Sequence, residues 1–194
     1  GEALIPPNHG RWYGKRLAQY MQPGKMLDVG AAAGFVLQGF VDAGWQGSGI
    51  EPNPKMAAYA REVLGLDVQA GALETLSTTE RYDLVSMIQV IAHFADLRRA
   101  LQVAAEVTKS SGYWLIETWN KDSFAARLFG QNWHEYSPPS VLHWFAPATL
   151  KTLAAQYGFR EIARGRPSKW INGGHAKSLV QYKLQGLPLG RQAG

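Results

Sequence analysis

Met26-Leu-Asp-Val-Gly-Ala-Ala-Ala-Gly34 is the stretch whose reading decides the fold. An apolar run leads into Asp28, and Gly30 and Gly34 then open a turn into an apolar helix that begins near Phe35. Glu51 closes a second short strand, Gly49-Ile50-Glu51, 23 positions after Asp28. Strand, glycine turn, helix, strand and acid at this spacing form a βαβ unit laid out to hold a nucleoside. The glycines let backbone approach the ligand, the helix start offers free N–H groups, and the later acid takes the ribose hydroxyls.

Outward from that unit, the chain repeats its pattern. Upstream, a helix is expected from Asn8 to about Tyr20, ended by Pro23-Gly24, with a strand over Lys25 to Val29. Val36, Leu37, Phe40 and Val41 share one helical face, Gly44 ends that helix, and Trp45 to Ile50 is the next strand. Asn53-Pro54 reads as an N-cap with proline at the first helical position, followed by a buried stripe of Met56, Tyr59, Ala60 and Val63. Leu66 to Ala70 is a short third strand. Tyr82 to Ile88 is a continuous buried one. Asp96 caps a helix that turns Leu97, Ala100, Leu101, Ala104 and Val107 inward, and Gly112 to Thr118 is a fifth strand. Five alternations of strand and helix predict a parallel sheet covered on both faces. A helix from Pro147 to Gly158 follows, then two final strands, about Phe159 to Ala163 and Ala176 to Leu184. The last alternates as an antiparallel strand does. From about residue 186 a loose tail is expected.

The 194 residues fit one domain with a real core, and 46% hydrophobic against 18% charged residues is a globular composition. No cysteine is present, which excludes a disulfide framework and a thiolate metal site. No stretch reaches the roughly 18 apolar residues of a membrane span. No signal-peptide pattern opens the sequence, so the cytoplasm is the expected location. The net charge of +5 raises a nucleic-acid partner, but the basic residues are scattered, and a solvated basic face is the commoner meaning of such a balance.

A nicotinamide dehydrogenase would show G-x-G-x-x-G after the first strand. Asp28-x-Gly30-x-x-x-Gly34 instead resembles motif I of the class I S-adenosylmethionine-dependent methyltransferases, usually D/E-x-G-x-G-x-G. The resemblance continues in order. GIEPN, ending its strand in Glu51, resembles the ribose-binding segment, and QAGALETL resembles the segment lining the adenine. YDLVSMIQVIAHFADLRRAL and GYWLIETWN are similar to the family's fourth strand with its helix and to its fifth strand. GQNWHEYSPPSVLHWFAPATLKTLAAQYGF is similar to the C-terminal half of small bacterial members of the ubiquinone-biosynthesis-like branch. The resemblance covers roughly residues 8 to 184. It implies a Rossmann-like, doubly wound α/β fold: a seven-stranded, mostly parallel sheet with an antiparallel last strand and helices on both faces. Three positions depart from the pattern. Ala32 replaces the middle glycine, Ala72 stands where many members carry an aspartate, and Ala92 replaces the glutamate of a frequent E-H pair.

The resemblance also implies roles. S-adenosylmethionine is the cofactor and S-adenosylhomocysteine the product, with Glu51 accepting both ribose hydroxyls. Gly30, Ala31 and Ala32 present backbone to the amino-acid end, and Gly34 and Phe35 start the helix. Asp28 orders the loop and faces the ammonium. Arg11 pairs with the carboxylate, Pro52 and Leu73 sandwich the adenine beside Ala72, and Ile88 and Gln89 lie by the sulfonium arm. Blander readings stand beside these: a strand-end acid for Glu51, a structural Asp28, an exposed helical Arg11. Methyl transfer needs alignment, plus a base where the nucleophile must lose a proton. The candidate bases are His93, His134 and His143, with Tyr136 and Glu117 behind them.

Residues 119 to 145 hold seven of the 22 aromatic residues and two of the five histidines. This is the expected substrate segment, with Trp119, Trp133 and Tyr136 as its contacts; the packing of a long crossover is its other reading. A small-molecule methyl acceptor is the expected partner. A non-catalytic cofactor-binding domain and a nucleic-acid or protein methyltransferase stay as alternatives. Against the last, Ile88-Gln89-Val90-Ile91 stands where N/D-P-P-Y/F would follow strand four.

Overall fold

The computed structural model describes residues 8–133 and 135–165. Five strands carry the framework: β1 Lys25–Val29, β2 Gln46–Glu51, β3 Asp67–Ala70, β4 Tyr82–Ile88 and β5 Thr108–Glu117. They pair in parallel in the order β3-β2-β1-β4-β5. Both faces of the sheet are covered, so the strands read as apolar runs and successive side chains enter opposite cores. Met26 and Leu84 pack into one core with Tyr13, Leu37, Phe40 and Ala57, and Leu27 and Val85 enter the other with Leu101, Val103 and Val107.

The helices are α1 Asn8–Leu17, α2 Phe35–Val41, α3 Pro54–Glu62, α4 Leu97–Val107, α5 Phe124–Phe129 and α6 Pro147–Ala155. The capping residues act as the sequence predicts. The Asn53 side chain accepts from the N–H groups of Lys55 and Met56 at 3.0 and 3.4 Å, with Pro54 opening α3. Asp96 accepts from Arg99 N–H at 2.9 Å. Each satisfies N–H groups that a helix start leaves without an internal partner. The inward face of α4 is also as predicted, with Val103 added and Leu97 only partly covered.

The face of α3 is not the predicted one. Ala57 and Ala60 are fully buried, whereas Tyr59 is 40% and Val63 62% exposed. Two alanines three residues apart let the helix lie close to the sheet, and the larger residues of the predicted stripe are turned toward its rim. Tyr59 meets Phe35 edge-on there, ring centroids 6.1 Å apart.

Phe159 to Ala163 carries no strand, which corrects the expected sixth strand. The predicted last strand, Ala176 to Leu184, and His134 lie outside the described residues. Among the described residues the sheet therefore has five strands. The chain divides into a compact unit of Gly1–Arg160 and a second of Glu161–Gly194. In the described part of the second, Arg164 grips Glu161 with two hydrogen bonds of 2.6 and 2.8 Å. Among the described residues no helix is long and apolar enough to cross a membrane.

Candidate functional site

The strand order reverses between β1 and β4, so the connections leaving their C-terminal ends run to opposite faces and leave a crevice there. The glycine loop after β1, the tip of β2 and the tip of β4 meet at this end of the sheet. Glu51, the last residue of β2, is 91% buried, being 9% exposed. Its Oε2 accepts from Ala32 N–H at 2.8 Å and its Oε1 from Asn53 N–H at 2.7 Å. The carboxylate thus faces the loop it was expected to complement, tied to the backbone on either side.

The loop satisfies many of its own amides. Gly30 and Ala31 N–H donate to Ile50 O at 2.8 and 3.2 Å, and Gly34 N–H donates to Ala31 O at 2.8 Å. The turn is therefore self-braced, with the amides of Gly30 and Ala31 already engaged by Ile50 O. Ala32 sits at φ +49°, a left-handed conformation that costs an L-residue with a Cβ about 1–2 kcal/mol. Here the missing glycine of the family pattern shows as backbone strain more than as crowding, and the bond from Ala32 N–H to Glu51 helps to hold it. Gly34, at φ +87°, is required on two counts: a Cβ there would lie 2.6 Å from Leu66 Cδ1 and 3.0 Å from Ala60 Cβ.

Asp28 lies beneath the loop, 3% exposed. Ser86 Oγ of β4 donates to its Oδ1 at 2.5 Å. Burial pushes this carboxyl up to about 7; the Ser86 hydrogen bond opposes that rise and the nearby Glu51 charge adds to it. Asp28 braces β1 against β4 from below.

Arg11 is placed elsewhere. Its Nη2 bonds Asp42 Oδ2 at 2.6 Å, beyond the C-terminal end of α2, whereas the loop lies at the start of that helix. The Asp42 carboxyl is held below its usual range, first by that bond and then by Gln38. Leu73 is 2% exposed and packs into the core with Ile50 and Ile91, leaving exposed Pro52 as the apolar surface at the β2 tip. Ala72 precedes a short 3-10 turn, Leu73–Thr75, and is half-buried, as is Phe35 at the start of α2. Ile88 ends β4 at 9% exposure.

Gln89 lies at the β4 tip as expected, and its backbone carries a feature the sequence does not signal. It adopts φ +58°, its N–H donates to Glu117 O at 2.8 Å, and its side-chain Nε2 donates to Glu117 Oε1 at 2.6 Å. The tips of β4 and β5 are locked together by this pair.

Residues 140 to 143 fold onto the turn after β4, Ile91–His93. The N–H groups of Leu142 and His143 donate to Ala92 O at 2.9 and 3.1 Å. His93 Nδ1 lies 2.5 Å from Ser140 O and His143 Nε2 lies 3.0 Å from Phe94 O. A carbonyl only accepts, so each of those ring nitrogens carries its proton. The neutral His93 ring therefore leaves Nε2, and His143 leaves Nδ1, as the nitrogen able to take a proton. His93 is exposed and His143 half-buried.

The aromatic segment begins where β5 ends. Asn120 bridges to Phe145, and Lys121 N–H donates to Phe145 O at 2.9 Å. Trp119 is half-buried, Trp133 is buried, and Tyr136 lies 4.8 Å from Trp144 between ring centroids. Trp133, Tyr136 and Trp144, together with Lys121 and Gln131, frame an open cleft of about 360 Å³ floored by Ala126 and Gly130. Two of the three predicted substrate contacts meet in it. Trp144 belongs to the expected aromatic segment, whereas Lys121 and Gln131 were missed, because a lone lysine and glutamine in a loop give no periodic signal.

Residues 12–163 match the family model described as a methyltransferase domain. The chain is 30% identical over 170 residues to ubiquinone biosynthesis O-methyltransferase of Rhodopseudomonas palustris (strain BisB5), a match over 85% of this chain and 58% of that protein. It is 25% identical over 176 residues to the protein of the same name from Nitrobacter winogradskyi, over 88% of this chain and 59% of that one. The chain thus spans little more than half the length of these curated relatives. Among solved structures it is similar to one from Thermotoga maritima described as an S-adenosylmethionine-dependent methyltransferase, possible histamine N-methyltransferase. That match has a TM-score of 0.64 and 25% identity, and covers 80% of this chain and 72% of that one.

Proposed function

The chain belongs to the class I S-adenosylmethionine-dependent methyltransferase family, and from that membership we propose that it methylates a small-molecule acceptor. The observation that carries the reading is the Glu51 carboxylate, delivered by β2 to the glycine loop at the point where the strand order reverses. The donor set suits the cofactor. A carboxylate matches a vicinal diol through charge-assisted hydrogen bonds, and the loop beside it carries small residues only, Gly30 to Gly34. When bound, S-adenosylmethionine supplies a methyl group on a sulfonium, activated for in-line displacement by a nucleophile.

The chain's own residues then bind, orient and accept a proton. Glu51 holds the ribose, Asp28 braces the loop from below, and the Gln89–Glu117 pair fixes the tips of β4 and β5 at the acceptor's side. His93, tethered through Nδ1 to Ser140 O, presents Nε2 to receive the acceptor's proton, so an O- or N-nucleophile is deprotonated as it attacks. Residues 119 to 145 form the acceptor side of the site. Arg11 is engaged by Asp42 and takes no part in holding the cofactor carboxylate in this proposal. A single methyltransferase domain and a cytoplasmic setting go with this proposal. Arg11, Lys25, Lys109 and Arg164 are each paired with an acid, Asp42, Glu80, Asp83 and Glu161, so these four cations do not form a basic stripe, which favours a small acceptor over nucleic acid.

Titration calorimetry of the chain with S-adenosylhomocysteine tests the reading. We expect saturable binding that Glu51→Ala weakens at least tenfold, the roughly 1.5–3 kcal/mol of hydrogen bonds to a charged group. An unchanged dissociation constant in the variant removes Glu51 from the ribose, and no binding by folded wild-type protein removes the function.

A further inference from the structure

We infer that the cleft framed by Trp133, Tyr136 and Trp144 takes a planar ring bearing an anionic group, with Lys121 as the partner of the anion. The inference rests on the methyl-transfer reading and deepens it by naming the acceptor's class. The cleft's volume of about 360 Å³ is enough for one or two fused rings with a short substituent.

Its walls are flat and held in place. The Trp144 indole N–H donates to Glu135 O at 3.0 Å, and Tyr136 N–H donates to Trp133 O at 2.8 Å. Tyr136 and Trp144 pack on one another, ring centroids 4.8 Å apart and inclined by 31°, so the pair forms one preset aromatic wall of the cleft. Such surfaces favour stacking on another ring. Trp133, 6% exposed, is anchored from behind, since its N–H donates to Gly130 O at 3.0 Å.

The polar lining gives the sign of the ligand. Of the described residues lining the cleft only Lys121 carries a charge, and Gln131 adds an amide. Among the described residues Lys121 enters no ion pair, in contrast to Lys25 and Lys109, which bind Glu80 and Asp83. Its backbone is fixed by the bond to Phe145 O, so the ammonium works from a defined base. A lysine beside stacked aromatic surface, with no acid among the described residues of the lining, selects an anion on a ring over a neutral or cationic ring.

The test is calorimetry with 2-naphthoate, 2-naphthalenemethanol and 2-naphthylmethylammonium, each with and without saturating S-adenosylhomocysteine. Wild type should bind naphthoate about tenfold more tightly than the alcohol, and the ammonium least. Lys121→Met should erase the preference without weakening the alcohol, and Lys121→Arg should restore it; circular dichroism checks that both are folded. Equal binding of the three probes, a preference kept by Lys121→Met, or no ring binding at all overturns the inference. S-adenosylhomocysteine binding without naphthoate binding sinks the cleft and spares the methyl-transfer reading. Naphthoate binding through Lys121 without S-adenosylhomocysteine binding does the reverse.

Discussion

At the scale of single residues, two positions separate what a side chain is from what its surroundings make of it. His93 is an exposed histidine after a strand, and the sequence alone gives it no more claim to chemistry than His134 or His143. The contact to Ser140 O settles its tautomer and leaves Nε2 as the basic atom. Asparagine at 93 places an amide N–H where Nδ1 was and removes the base. His93→Asn should therefore lower kcat toward a hydroxyl acceptor about 10²-fold, within the range for loss of a general base, and leave S-adenosylhomocysteine affinity unchanged. Equal kcat in the two proteins would show that the acceptor's proton leaves by another route. Ala32 is the converse case. The sequence flags it as a substitution for glycine, but only the backbone shows that it adopts φ +49°. Ala32→Gly should relieve that strain at some cost in unfolded-chain entropy, for a net gain of about 0.5–1 kcal/mol in urea denaturation.

At the scale of elements, the legible features were those written in strong local chemistry. Asn53-Pro54 and Asp96 announce helix starts, and the apolar runs of β1 and β4 announce strands buried on both faces. The stripe on α3 was misread because periodicity fixes spacing and not phase: 56, 59, 60 and 63 and 57, 60 and 64 are both helical faces. What selects the second is the neighbour, the backbone of Gly34, which only an alanine can approach. The contact makes a comparison between two glycines. Gly34 and Gly44 both have positive φ, at +87° and +92°, but an added Cβ meets Leu66 and Ala60 at the first and nothing within 4 Å at the second. Gly44→Ala should cost only the backbone penalty of about 1–2 kcal/mol. Gly34→Ala should add a packing cost of about 1–3 kcal/mol by prying α2 from α3. Equal losses in chemical denaturation would mean that the close approach is not maintained in solution. Phe159 to Ala163 failed as a strand for a related reason. Its first residue stacks on Trp114, ring centroids 3.9 Å apart, so Phe159 is committed to a face of the sheet and not to its edge.

At the scale of the whole molecule, the site is bought with stability at Asp28. Its position two residues before the first glycine was legible in the sequence; its burial beneath β4 was not, because Ser86 lies 58 positions away. The buried carboxyl titrates at about 7, against 3.8 for the ordinary group. The folded state thus holds a proton that the unfolded chain releases, and stability tied to this group is full below about pH 4. It declines as pH rises through the folded value near 7 and is level above it. Other carboxyls run the opposite way. Asp83, held low first by the Lys109 hydrogen bond, loses its contribution as pH falls, so the raw stability curve mixes both. Asp28→Asn isolates the buried group, since an amide keeps an acceptor for Ser86 Oγ and cannot ionise. The difference in unfolding free energy, variant minus wild type, should be near zero at pH 4. It should grow by about 1.4 kcal/mol per pH unit toward neutrality and flatten at roughly 4 kcal/mol above pH 7. A difference constant across that range would mean that Asp28 is solvated and ionised in the folded protein, and the loop would then rest on something other than a protonated brace.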